Sequence, residues 1–254
     1  MKRLLFASTA IAFAMGSATA ADMRVKAPIA SPPPVYSWTG VYFGGFVGGL
    51  WSKTDNAFVF PPPGTIAQSS SQGFGGGFGG AQAQFQNLVI GVEAGVGAPF
   101  TTNFGSGTCN PLAACSAGFT MTETVKDRIT TVGGRVGLAW DRWMLYASGG
   151  FADAPFTQAI CGPVVCPAQV ATGEHRGGYY GGGIDVMVYG SWIAGFEYRH
   201  YQFDTQTVVP FLFPTGGPVV ANTITSRLRL DTAVFRLSYL FGGPAIASPI
   251  AAKY

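Results

Sequence analysis

Charge is what this chain has least of. Only 11% of its 254 residues are Asp, Glu, Lys or Arg, against about 25% in ordinary soluble domains. A water-soluble fold this poor in charge has little with which to cover its surface. Histidine is nearly absent, with two residues, and the four cysteines have no His or carboxylate company, so the spacing of a metal site is missing. Beyond the first twenty residues there is no run of about 18 apolar residues, which excludes a transmembrane helix. Helical periodicity is also lacking almost everywhere. What the chain has instead is glycine, 37 residues, phenylalanine, 20 residues, and an alternation of apolar with small or polar positions, the period of a strand.

The opening segment MKRLLFASTAIAFAMGSATA has the form of a secretory signal. Lys2 and Arg3 form a basic start, residues 4–15 an apolar core too short to span a bilayer, and Ala18-Thr19-Ala20 a small-residue cleavage site, placing cleavage after Ala20. Without Lys2 and Arg3 the chain loses two of its 15 basic residues against 12 acidic ones. The near-zero balance suggests no nucleic-acid partner. An exported chain meets an oxidising compartment, so Cys109, Cys115, Cys161 and Cys166 are read as disulfide candidates. They fall as two close pairs in loops, and the simplest reading is two local bridges. Four cysteines allow three connectivities, and the pairing stays open. No cofactor or metal is expected.

Residues 21–37 are Pro-rich and read as a periplasmic linker. Strand-like runs follow at 38–51, 73–85, 88–98, 123–140, 143–151, 175–188, 191–203 and 225–241, and a Gly/Pro/Ala tail occupies 242–254. Tight connections at Gln86-Asn87, Asp141-Arg142 and Tyr189-Gly190 alternate with four long ones. That asymmetry predicts an all-β protein: an eight-stranded antiparallel up-and-down transmembrane barrel over 38–241, with short periplasmic turns and long extracellular loops. All 17 prolines fall outside the strand runs, as ladder hydrogen bonding requires. The lysines avoid mid-strand positions. Trp38, Trp140, Trp143 and Trp192 fall at periplasmic strand ends and Trp51 at an outer end; with Phe241 they are expected to ride the membrane interface, where an aromatic ring can be wet at one edge. The spacing in GFGGGFGG resembles a phosphate loop, but no strand–turn–helix context follows it.

Parity then sorts the charges. In TVGGRVGLAW, Val132, Val136, Leu138 and Trp140 share one face and Arg135 takes the other. By the same rule Glu93, Asp185, Glu197, Arg199 and Arg236 face away from the apolar stripes of their strands. Counted from the short turns, the six fall in one band. Eight strands leave just enough interior for side chains, and unpaired charges there would be costly. The expectation is a lumen charge band of three acids and three bases that pair and plug the barrel. The rival is a narrow conduit in which the same ring selects ions or small solutes.

The segments YSWTGVYFGGFVGGLW, LVIGVEAGVGA, GGRVGLAWDRWMLYASGGFA, GFEYRHYQF and FRLSYLF resemble the small porin-family outer-membrane proteins of alphaproteobacteria, including the outer-membrane immunogenic proteins of brucellae and rhizobia. The resemblance implies an OmpA-like barrel in the cell outer membrane and a surface antigen without catalytic residues. It also implies an aromatic insertion signal for the barrel-assembly machinery, at Phe241 or Tyr254.

Two other classes of barrel make distinct demands on the sequence. A barrel enzyme acting on outer-membrane lipid would need a rim histidine with a nucleophile and an acid; His200 and His175, the latter beside Glu174, are the candidates. A lipocalin-like soluble barrel would put its apolar stripes inside, the reverse of this pattern. Expected partners are outer-membrane lipid and lipopolysaccharide, with host or phage contacts through the long loops.

Overall fold

A computed structural model describes residues 36–58, 64–101, 103–108, 120–125, 128–161, 169–213 and 220–242. The signal segment, most of the linker, the tail, Cys109, Cys115 and Cys166 lie outside the described residues. Cys161 is the last residue of a strand.

The strands are β1 (Gly40–Phe58), β2 (Gly64–Phe85), β3 (Leu88–Pro99), β4 (Asn103–Thr108), β5 (Thr120–Val125), β6 (Ile129–Trp140), β7 (Trp143–Cys161), β8 (Gln169–Tyr189), β9 (Trp192–Phe203), β10 (Gln206–Phe213) and β11 (Val220–Phe241). Eight of them, β1, β2, β3, β6, β7, β8, β9 and β11, pair antiparallel in a ring. Its seam closes where β1 pairs with β11. Closure leaves no ladder edge facing lipid, the condition for crossing a bilayer with strands.

Each short turn carries one residue with positive φ: Gln86 at 56°, Asp141 at 55° and Gly190 at 53°. A carbonyl of each turn accepts from the next strand: Ala139 N donates to Asn87 O (2.7 Å), Met187 N to Arg142 O (2.9 Å) and Leu240 N to Ser191 O (2.9 Å). The turn end is thereby stitched around its rim. The third turn is Gly190-Ser191, one residue later than expected, because the β8–β9 register shifts between Met187 and Tyr189.

The other end is longer than the sequence pattern indicates. A bilayer needs about 9–11 residues per tilted strand, yet β1, β2, β7, β8 and β11 run 19 to 22 residues. The run 123–140 is two strands, β5 and β6, which both pair with β7: β6 against Trp143–Asp153 and β5 against Phe156–Cys161. Pro155 falls in the gap between them, where β7 has no partner on that side among the described residues. Prolines therefore do enter strands, at Pro99, Pro155 and Pro210, contrary to the expectation from sequence. Each sits at a strand end, a pairing gap or a register shift, where no ladder donor is demanded. Lys53 likewise lies inside the lengthened β1, exposed.

The outer surface carries the apolar stripes. Val132, Val136, Leu138 and Trp140 of β6 are 49–57% exposed, and Phe235, Leu237, Tyr239 and Phe241 of β11 are exposed in the same way. Cross-strand aromatic pairs, Trp192 with Tyr239 (5.3 Å) and Phe196 with Phe235 (5.4 Å), hold these stripes together.

Candidate functional site

The interior is layered. At the turn end lies an apolar layer of Trp38, Tyr42, Phe78, Val89, Ala139, Met144, Tyr146, Met187, Ile193 and Leu240. Toward the outer end a second layer holds Leu50, Phe74, Ile129, Tyr179, Tyr201, Phe203, Leu228, Leu230 and Val234. Between them lie the six charged side chains that parity singles out: Glu93, Arg135, Asp185, Glu197, Arg199 and Arg236. Each is at most 9% exposed.

They form one connected network. Arg135 reaches Asp185 (3.1 Å) and Glu93 (3.6 Å). Arg199 spans Glu93 (2.6 Å) and Glu197 (2.9 Å), and Arg236 bridges the same two carboxylates. Glu93 thus meets all three arginines. Tyr42 Oη donates to Glu93 Oε2 (3.0 Å), Ser148 Oγ donates to Glu197 Oε1 (3.0 Å), and Arg236 Nη1 donates to Tyr146 Oη (3.3 Å).

Rings close over the guanidinium planes. Arg135 lies 4.9 Å from the Tyr42 centroid and 4.6 Å from that of Tyr146, Arg199 lies 4.8 Å from Tyr179, and Arg236 lies 3.9 Å from Phe78. Three acids and three bases balance, and charge-assisted bonds among them offset the loss of water. A cavity of about 20 Å³ opens beside the band, bordered by Glu93, Glu197, Arg199, Arg236 and Thr131. That is room for about one water.

Sequence reasoning missed Tyr42, Phe78, Tyr146, Ser148 and Tyr179. Their inward parity was available; what was not is that each tyrosine ring needs bare backbone opposite it. A Cβ on Gly80 would lie 2.5 Å from Tyr42 Oη, one on Gly133 2.5 Å from Tyr179 Oη, and one on Gly183 2.7 Å from Tyr146 Oη. The glycine of one strand makes the space into which the tyrosine of another fits.

One of the aromatic assignments needs correction. Trp38 is fully buried, its backbone N donating to Gln84 Oε1 (2.8 Å). It shares the even, inward parity of Tyr42 and closes the turn end of the lumen, away from lipid. Trp51 is 47% exposed on the outer face, with β1 continuing past it to Phe58. Trp140, Trp143, Trp192 and Phe241 stand exposed around the turn end.

The histidine candidates separate. His175 is buried in the lumen and stacks on Phe156 (4.1 Å), while its neighbour Glu174 faces out and pairs with Arg176 (2.7 Å). These two do not assemble a site. His200 is on the outer face, with Nδ1 2.7 Å from Asp231 Oδ1; Tyr198 Oη donates to the same oxygen at 2.6 Å. Among the described residues no group of three or more His, Cys, Asp or Glu is arranged to hold a metal ion.

Comparison with known proteins agrees with this architecture. Residues 8–241 match the family described as outer membrane protein beta-barrel domain. The chain is 30% identical over 252 residues to the 31 kDa outer-membrane immunogenic protein of Brucella melitensis biotype 1, covering 95% of this chain and 100% of that one, and equally to its Brucella suis counterpart. Among solved structures it is similar to the outer membrane protein OprG from Pseudomonas aeruginosa, with a TM-score of 0.48 and 8% identity over 82% of this chain and 99% of that one. The lipid-facing stripes, the closed eight-stranded ring, the family match and the Brucella relatives place the chain in the cell outer membrane, as a member of the outer membrane protein beta-barrel family.

Proposed function

We propose that this protein is a structural, surface-exposed barrel whose lumen is plugged by its own charge network. One observation supports the reading: six buried, paired charges meet between two apolar layers, beside a cavity of about 20 Å³. An ion crossing would have to displace guanidinium–carboxylate pairs and then shed its water in both apolar layers, a large desolvation cost. Function then resides in what the barrel presents outward. The strand extensions at the outer end and the immunogenic relatives support reading it as an antigen of the cell surface.

The test is single-channel conductance of the refolded mature protein in a planar bilayer, beside the Arg135→Ala variant. The wild type is expected to be silent. Arg135→Ala, which leaves Asp185 without its arginine, is expected to show at least intermittent current. Steady ion-selective current through the wild type would overturn the plug and make the protein a small porin.

A further inference from the structure

On the outer face of the β1–β11 seam, apolar surface gives way to charge within two residues. Register sets Trp51 opposite Asp231, Lys53 opposite Arg229 and Asp55 opposite Arg227, all at outward positions. Below them run Val47, Phe196 and Phe235. Asp231 is about ten residues up β11 from Phe241. At roughly 3.3 Å per residue and a tilt near 40° this is a rise of about 25 Å, the height of the apolar band of such barrels. Trp51 and Tyr198 therefore stand at the outer membrane boundary, and Lys53, Arg227 and Arg229 in the headgroup layer above it.

The charges of this strip do not close among themselves. Arg229 Nη2 binds Asp55 Oδ2 at 2.7 Å. Asp231 is hydrogen-bonded by Tyr198 and His200 and also lies within the electrostatic reach of Lys53. Arg227 donates from Nε to Thr205 Oγ1 at 3.3 Å, and neither it nor Lys53 makes an ion pair with another described residue. Lys53 and Arg229 are direct cross-strand neighbours, and like charges so placed repel. Two strands round the barrel, at a similar height, the arrangement differs: Arg176 is enclosed by Glu174 (2.7 Å) and Asp153 (3.8 Å). On this sector, over an aromatic ledge, three cations face two carboxylates, Asp55 and Asp231.

We infer that Lys53, Arg227 and Arg229 bind the phosphate groups of the outer-leaflet glycolipid, lipopolysaccharide, with Trp51 and Tyr198 packed beneath at the sugar–acyl junction. Phosphate at that height supplies the anion that the cation row lacks. Arginine forks and a lysine point charge are the groups that recognise it, and indole and phenol rings prefer this interface. The site lies outside the barrel and stands or falls separately from the plug.

The test is refolding into phosphatidylcholine vesicles with and without lipopolysaccharide, reading the thermal unfolding midpoint by heat-dependent gel mobility. Lipopolysaccharide is expected to raise the wild-type midpoint, and dephosphorylated lipopolysaccharide to give less than half that rise. The variant K53Q/R227Q/R229Q is expected to lose at least half of the rise, with an unchanged midpoint in phosphatidylcholine alone, whereas R176Q keeps all of it. Should the triple variant fail to refold, K53Q alone, at an exposed position, is expected to lose a measurable part. A full rise in the cation variants, no rise in the wild type, an equal rise with dephosphorylated lipid, or the same rise from inorganic phosphate without lipopolysaccharide would each overturn the assignment.

Discussion

A methyl group on Gly195 would lie 2.0 Å from Asp185 Oδ1, so this glycine is the floor on which the Asp185–Arg135 pair rests. Gly195→Ala is expected to destabilise the barrel by about 1–3 kcal/mol through overpacking, seen as a lower urea midpoint with the ring still formed. Glu93 is the more consequential position, because three guanidiniums meet on it. Glu93→Ala leaves three arginines sharing Asp185 and Glu197 in a water-poor lumen and is expected to cost about 3–5 kcal/mol, read by the same urea titration. Arg176→Gln removes an exposed pair and is expected to change the midpoint by no more than about 1 kcal/mol. A midpoint that falls for Arg176→Gln as far as for Glu93→Ala would mean burial is not what gives the lumen pairs their weight.

Strands were legible where the period of two ran against a lipid-facing stripe. In β6 the alternation of Val132, Gly134, Val136 and Leu138 with Arg135 survives intact in the structure. Val136→Arg is accordingly expected to impair insertion by about 2–4 kcal/mol near midplane, while Val136→Ala has a small effect. The yield of heat-modifiable protein in outer-membrane fractions measures this. Legibility failed above the membrane. There strands are held by pairing with each other and not by lipid, so composition no longer alternates by environment. Loop-like sequence around Lys53 and Pro155 forms strand nonetheless. The break between β5 and β6 was hidden for the same reason: both halves are extended and differ only in which part of β7 they meet. Trp38 was misplaced because its position at a strand start was weighed above its inward parity.

At the scale of the molecule, what matters is closure. An eight-stranded ring has an interior only as wide as its side chains, so inward parity and burial become the same statement, and charges read from one strand at a time must meet. The amino-acid sequence was enough to specify an antiparallel membrane barrel, its lipid face, its turn end and the six inward charges, because those follow from a local period and from the requirement that lipid touch apolar atoms. Which charge pairs with which, which glycine yields to which tyrosine, and where three outward cations gather on one sector were fixed by the register and shear of strands far apart in the chain. Arg199 and Glu93 are 106 residues apart and 2.6 Å from each other. No local pattern encodes that distance, because it depends on how the ladders slide as the ring closes.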